Sequence, residues 1–142
     1  MENDNFILIY RFLNETKTNR FIKIASDYLG YHIYNVRKKD KYSIEKFIYG
    51  IINCKAVITN SFHGTVFSII FNKPFVSFIF KNSPRERLNS LKKIFNIGNR
   101  IFEYNQFPDV NLLSTPLNIN DQLMNSLKIQ SINYLKKNLG IK

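Results

Sequence analysis

The sequence predicts a single α/β domain with a Rossmann-like parallel sheet and helices on both of its faces. Short apolar runs alternate along the chain with longer segments whose apolar residues recur at helical spacing. Strands that alternate with helices favour parallel pairing through right-handed crossovers. The 142 residues fit one domain, and no internal repeat is visible. We therefore predict one domain over residues 1–142.

Five segments are predicted to be strands because each is short, apolar and β-prone, without a helical period. Polar residues or turn formers bound them, and Pro74 begins the fourth. The predicted strands cover residues 6–10, 31–36, 56–59, 75–80 and 100–104.

The predicted helices are the segments in which apolar residues share one face. In the first helix, Phe21 and Ala25 lie on that face, and Gly30 is the expected C-cap. Ser43 is the expected N-cap of the second helix, after a basic turn at 37–39. We expect the last helix to pack across the sheet. The predicted helices cover residues 18–29, 43–53, 66–71, about 85 to 98, and about 120 to 139.

Composition excludes several protein classes. Hydrophobic residues make up 44% of the chain and charged residues 22%, which is typical of a folded globular domain and not of a disordered or fibrous one. Cys54 is the single cysteine, so neither an internal disulfide nor a zinc cluster is expected. Its apolar neighbours predict a buried structural thiol.

No feature of the sequence predicts membrane insertion. Residues 1–5 lack the basic then apolar pattern of a signal peptide. The longest apolar stretch, residues 66–80, is interrupted by Asn72, Lys73 and Pro74 and is too short to cross a bilayer. We expect a protein without a transmembrane segment, located in the cytoplasm, including the inner face of the membrane.

The chain is strongly basic, with a formal net charge of +11. A positive field favours anionic partners such as nucleic acid, acidic lipid or a phosphorylated small molecule. The lysines are dispersed in a chain rich in Lys, Asn and Ile, and biased composition is the favoured explanation of the excess. Charge alone therefore does not select a partner.

The segment 59–65 carries the side chains that favour a functional site. It follows the predicted third strand, and ligands of open parallel sheets bind outside the carboxyl ends of strands. A helix that begins near Gly64 would offer backbone N–H groups to an anion, which the glycine would allow to approach closely. His63 can donate hydrogen bonds or exchange a proton, and Ser61 and Thr65 can add hydroxyl donors. The pattern fits a phosphorylated substrate, although a histidine beside a glycine also suits a helix cap.

A longer run around this segment resembles a known family. Residues 58–68, ITNSFHGTVFS, and residues 72–75, NKPF, resemble the signature region of polysaccharide pyruvyl transferases. The helices on either side agree, and the similarity covers about residues 5–104. The resemblance implies a fold similar to the second domain of GT-B glycosyltransferases. The chain would then be the carboxyl-terminal half of a two-domain enzyme, with an amino-terminal domain in the same chain or another.

The resemblance also implies an activity. Such enzymes transfer a pyruvyl group from phosphoenolpyruvate to two hydroxyls of one sugar, forming a cyclic ketal and releasing phosphate, in bacterial cell-surface or exopolysaccharide biosynthesis. Phosphoenolpyruvate would be the donor substrate and a glycan or lipid-linked sugar the acceptor, and the chemistry requires no cofactor or metal. The predicted catalytic residue is His63, as acid or phosphate ligand. The predicted substrate-binding residues are Asn60, Ser61, Gly64, Thr65, Arg85 and Arg87.

One position departs from the family pattern. Many members carry an arginine two residues before this histidine, whereas this chain has Ser61, whose neutral hydroxyl binds anions more weakly than a guanidinium. Arg85 and especially Arg87 are expected to supply the missing charge. Lys73 is a further candidate that turn chemistry explains equally well. His32, at the start of the predicted second strand, is expected to be structural.

Two other functions remain open at this point. The chain could be a GT-B-like glycosyltransferase or sugar-nucleotide-binding module, in which the same helix terminus holds a nucleotide diphosphate. It could also be a non-enzymatic basic domain that binds nucleic acid through lysines and interspersed tyrosines. No recognisable nucleic-acid motif supports the latter, so we expect no nucleic-acid partner.

Overall fold

The fold is a five-stranded parallel sheet with helices on both faces, as predicted. A computed structural model describes residues 5–10, 15–37, 41, 43–81, 83 and 85–140. The strands are β1 (Phe6–Tyr10), β2 (His32–Val36), β3 (Ala56–Thr59), β4 (Phe75–Ile79) and β5 (Ile101–Glu103). The α-helices are α1 (Thr16–Leu29), α2 (Ser43–Asn53), α3 (Phe62–Ile70), α4 (Arg85–Phe95) and α5 (Asp121–Leu139). Two 3₁₀ segments, Gly98–Arg100 and Val110–Ser114, flank β5.

The strand order β2-β1-β3-β4-β5 places β1 between β2 and β3. Every adjacent pair is parallel, and Tyr10 at the end of β1 pairs in register with Thr59 at the end of β3. The chain moves to one side of β1 for β2 and to the other side for β3. A crevice forms at the carboxyl ends of such a pair of strands because the connections that follow them diverge to opposite faces. The segment after β3 therefore lies at the topological switch point of the sheet.

Two apolar clusters cover the two faces of the sheet. Alternate residues of β1 divide between them, because successive side chains of a strand point to opposite faces. Phe6 and Leu8 pack with residues of α2, α3 and α4, whereas Ile7 and Ile9 pack with α1 and the 3₁₀ segment Val110–Ser114. Strands β1, β3 and β4 are buried along almost their whole length, as expected for a parallel sheet covered on both sides.

The helix ends agree with several predictions. Gly30 caps α1 with a φ of 69°, and its N–H donates to the Ser26 carbonyl oxygen. Asn120 caps α5 by accepting hydrogen bonds from the Gln122 and Leu123 N–H groups. Helix α2 includes Ser43 as its first residue, one position later than an N-cap would stand. The basic turn predicted at 37–39 lies mostly outside the described residues, which resume only at Lys41.

Two predictions about helices are wrong. Helix α3 begins at Phe62, four residues before the predicted start at Val66, because Ser61 supplies a cap and the small residues that follow fit a buried helix. Helix α5 packs mainly against α3 and not across the sheet. Its partly buried residues Met124, Leu127 and Leu135 reach the apolar cluster on the α3 face.

Cys54 is buried at the end of α2, as predicted, and its Sγ donates to the Ile51 carbonyl oxygen at 3.6 Å. Burial raises the pKa of this thiol to about 11. Within the described ranges, no helix is both long enough and apolar enough to cross a membrane.

Candidate functional site at the carboxyl edge of the sheet

The ends of β1 and β3 are joined by a threonine side chain. The Thr59 Oγ1 atom donates to the Tyr10 carbonyl oxygen at 2.5 Å and accepts the Ser61 N–H at 3.0 Å. Thr59 and the following Asn60 are both buried, with 1% and 6% of their surfaces exposed. The two hydrogen bonds of the Thr59 hydroxyl therefore hold the backbone in place at the switch point, where the chain leaves β3.

Ser61 caps α3, so its hydroxyl already has a structural role. With φ at −99° and ψ at 139°, it stands just outside the helix, and its Oγ accepts the Gly64 N–H at 3.3 Å. The Ser61 carbonyl oxygen accepts both the N–H and the hydroxyl of Thr65. A serine N-cap of this kind stabilises a helix by about 1 kcal/mol. The start of α3 is therefore capped by a neutral side chain.

Gly64 allows α3 to lie directly against the strand ends. A Cβ atom added at this position would overlap the Thr59 Oγ1 atom and would lie 3.2 Å from the Tyr10 Cδ2 atom. Glycine is therefore required here by packing, whatever ligand the site binds. From the sequence alone, Gly64 was explained by the close approach of an anion. Packing of α3 against Thr59 and Tyr10 is a sufficient reason for the glycine.

Thr65 lies beneath the site and not at its surface. Its side chain is fully buried, and its hydroxyl is 2.9 Å from the Ser61 carbonyl oxygen and 2.9 Å from the Ser77 Oγ atom of β4. The hydroxyl therefore joins α3 to the sheet. Direct contact between Thr65 and a substrate would require these bonds to open.

His63 occupies the first turn of α3 and is partly exposed at the carboxyl edge. Its imidazole stacks on the Tyr134 ring of α5, with centroids 4.0 Å apart and an interplanar angle of 15°. The neighbouring Phe62 ring is nearly perpendicular to the imidazole, with ring centroids 5.4 Å apart. Two aromatic side chains thus fix the plane of the only predicted catalytic residue.

Sequence reasoning missed two tyrosines of this site. Burial, followed by the nearby Tyr134 phenol, raises the pKa of Tyr10, so its hydroxyl stays protonated at neutral pH. The Tyr10 ring packs on the Phe47 ring at 4.4 Å. Tyr134 lies seven residues after Leu127, so the spacing predicts that both lie on one apolar face of α5. The spacing does not predict which residues that face contacts. No sequence signal connects Tyr134 to His63.

The two predicted arginines of α4 lie in different surroundings. Arg85 forms a hydrogen-bonded ion pair with Glu103 at the end of β5. The hydrogen bond raises the pKa of the Arg85 guanidinium and lowers the pKa of the Glu103 carboxyl group. The Arg87 guanidinium lies over the Phe62 ring, 3.8 Å from its centroid. The fold therefore brings Arg87, and not Arg85, beside the residue that precedes His63.

Lys73 and His32 lie at the opposite edge of the sheet from the candidate site. Lys73 precedes β4, and its Nζ donates to the carbonyl oxygens of Ile52 and Cys54 at 3.1 and 3.0 Å. Because all strands are parallel, a residue before a strand cannot reach the carboxyl edge, so the interpretation of Lys73 as a ligand of the site is wrong. His32 begins β2 at the same amino edge and is exposed, far from the motif as predicted.

The family comparison covers the segment that carries the candidate site. A family model described as polysaccharide pyruvyl transferase matches residues 2–82, which is more than half of the chain. The chain belongs to the polysaccharide pyruvyl transferase family. No curated protein and no solved structure gave a significant match. The match includes the whole segment from Thr59 to Thr65 and ends before α4, so Arg85 and Arg87 lie beyond it.

Proposed function

We propose that this pyruvyl transferase domain binds phosphoenolpyruvate at the carboxyl edge of β1 and β3 and transfers its pyruvyl group to a sugar. The main support is the position of His63, at the start of α3 beside the topological switch point, within the segment that the family model matches. The helix terminus and the nearby Arg87 favour a phosphorylated anion.

The proposed reaction begins with protonation of the enol methylene by His63. The central carbon of the donor then carries positive charge, and a sugar hydroxyl attacks it and gives its proton back to His63. The phosphate leaves with the electrons of its C–O bond, and a second hydroxyl of the same sugar closes the ketal and loses its proton to the departing phosphate. A general acid and a cationic group near the leaving phosphate are what these steps need.

The proposed roles of the other residues follow from their positions. Asn60 lies immediately after β3 and would orient the donor, while Arg87 would contact its phosphate in place of the family arginine. Ser61, Gly64 and Thr65 would act by holding α3 and its backbone N–H groups in place. Arg85 would contribute only if substrate displaced Glu103.

The acceptor and the protein context also belong to the proposal. We propose a sugar of a glycan or lipid-linked intermediate as acceptor, bound with the help of an amino-terminal domain in the same or another chain. Pyruvyl transfer would take place in the cytoplasm, including the inner face of the membrane, during cell-surface polysaccharide synthesis.

Calorimetric titration with phosphoenolpyruvate at fixed salt tests the donor site. We expect binding by the wild-type domain that is lost in His63→Ala and retained in His32→Ala, a matched control because the chain has two histidines and His32 lies at the opposite edge. A nucleotide sugar serves as the competing ligand. Stronger binding of the nucleotide sugar would favour a glycosyltransferase, and wild-type protein that does not bind phosphoenolpyruvate would contradict a donor site in this domain.

A further inference from the structure

A groove lies between α4 and α5, next to the candidate site but separate from His63. Its volume is about 470 Å³, which is within the range of small-molecule sites. Phe62, the residue that precedes the predicted catalytic histidine, is one of its lining residues. The lining residues are Phe62, Arg87, Ser90, Leu91, Ile94, Phe95, Leu123, Ser126, Leu127 and Gln130.

Apolar side chains dominate this groove, and some of them are exposed to water. Ile94 of α4 is 51% exposed and Leu123 of α5 is 38% exposed, so both helices present aliphatic surface toward it. Leu91 and Phe95 are buried below them. Exposed aliphatic surface in a concave site favours a ligand that brings its own apolar surface, because burial of each methylene contributes about 0.8 kcal/mol.

The polar groups of the groove favour an anion beside Phe62. The Arg87 guanidinium lies over the Phe62 ring, and no carboxylate of the described residues forms an ion pair with it. By contrast, Arg85 is paired with Glu103, and the Arg100 guanidinium donates to backbone carbonyls. A cation beside an apolar groove complements a molecule with a charged head and a hydrocarbon chain.

We propose that the α4–α5 groove binds the hydrocarbon chain of a lipid phosphate, with the phosphate at Arg87. The chain would lie along Leu91, Ile94 and Leu123, and the head group would point toward the start of α3. This inference concerns a ligand other than phosphoenolpyruvate and a surface that does not include His63. It therefore holds or fails independently of pyruvyl transfer, although the two phosphates could occupy Arg87 only one at a time.

Titration with butyl, octyl and dodecyl phosphate, each below its micellar concentration, tests the proposal. We expect the affinity to rise about fourfold for each added methylene until the groove is filled, because each buried methylene contributes a constant transfer free energy of about 0.8 kcal/mol. Octyl glucoside carries a similar chain without the phosphate, and we expect it to bind at least tenfold more weakly than octyl phosphate. Equal affinities across the chain series would overturn the proposal and leave a protein surface as the occupant of the groove.

Two matched substitutions locate the binding surface. Ile94→Glu introduces a charge into the groove, whereas Ile129→Glu makes the same change at a 65% exposed residue of α5 outside it. We expect Ile94→Glu to abolish the dependence on chain length and Ile129→Glu and His63→Ala to preserve it. Equal loss in both glutamate variants would show unspecific adsorption and would contradict the proposal. Circular dichroism and the midpoint of thermal unfolding show whether each variant is folded.

Discussion

At the scale of single residues, Gly64 is the position where the candidate site tolerates least change. Alanine at this position would place a Cβ atom 3.0 Å from the Thr59 Cβ atom and in overlap with its hydroxyl oxygen. That hydroxyl bonds to Tyr10 and Ser61, so it cannot move without losing those bonds. We expect Gly64→Ala to lower the free energy of unfolding by about 1–3 kcal/mol, the usual cost of overpacking. Chemical denaturation measures the change.

Gly98→Ala is the control for this prediction. A Cβ atom at Gly98 would meet no atom within 4 Å, and its φ lies outside the left-handed region. We expect that variant to retain wild-type stability within about 0.5 kcal/mol. Similar stability losses in both glycine variants would contradict the packing explanation at Gly64.

Gly64 also shows why a sequence motif does not define a role. The sequence predicted a glycine at which an anion approaches the backbone, and the structure shows a glycine at which a helix approaches a strand. Both situations exclude a Cβ atom, so the residue type is the same in each case. Only the position of Thr59, five residues earlier, distinguishes them. The predicted order of strand, motif and helix was nevertheless correct.

At the scale of secondary structure elements, α5 determines the surroundings of His63. The Tyr134 ring lies face to face with the imidazole, so its ring current should shift the histidine ring-proton resonances upfield. We expect Tyr134→Ala to move the His63 signals by several tenths of a part per million and Tyr134→Phe to leave them near their wild-type positions, because phenylalanine keeps the aromatic face.

The second histidine is an internal reference for this nuclear magnetic resonance experiment. His32 begins β2 at the opposite edge of the sheet, so its signals should stay unchanged in both variants. His63→Ala assigns the two signals in the spectrum. If Tyr134→Ala leaves the His63 signals in place, α5 does not cover the histidine in solution.

Arg100 joins the last strand to the segments that follow it. Its side chain is buried, and the guanidinium donates to the carbonyl oxygens of Phe75, Leu112 and Thr115 at 3.2, 2.8 and 2.7 Å. Burial lowers its pKa, yet arginine remains charged at any ordinary pH. We expect Arg100→Met to cost about 3 kcal/mol of stability because the buried and partly buried carbonyl groups lose their donor.

Urea denaturation measures this cost, with Arg20→Met as the matched control. Arg20 is exposed on α1, so its replacement should change the free energy of unfolding by at most about 0.5 kcal/mol. If Arg100→Met were as stable as the control, the carbonyl contacts would contribute nothing to stability.

These elements differ in how far the sequence could predict them. Strands β1, β3 and β4 are continuous apolar runs, and their positions were predicted to within one residue. The start of α3 was missed because its first turn contains polar and small residues that resemble a loop. The roles of Tyr134 and Arg100 depend on contacts with distant segments of the chain. Local patterns contain no information about such partners.

At the scale of the whole molecule, repulsion between positive charges should limit stability at low salt. The formal net charge is +11, and within the described residues the ion pairs are Lys23–Asp27 and Arg85–Glu103, both exposed. The Debye length falls from about 30 Å at 0.01 M salt to about 8 Å at 0.15 M, so salt screens repulsion over most of the domain. We expect the midpoint of thermal unfolding to rise over this range in sodium chloride. Positive charges are closer together in the folded chain than in the unfolded chain, so screening stabilises the folded state more.

Lys128→Glu tests whether this salt effect comes from net charge. Lys128 is exposed on α5, and its replacement by glutamate changes the formal charge from +11 to +9 without altering the core. The rise of the midpoint with salt should therefore be smaller in the variant than in the wild type. A midpoint that falls with salt would mean that attractive pairs outweigh repulsion. In that case attraction between opposite charges would offset the excess of positive charge in the folded protein. The positive potential that favours anionic ligands would then be confined to Arg87 and the start of α3.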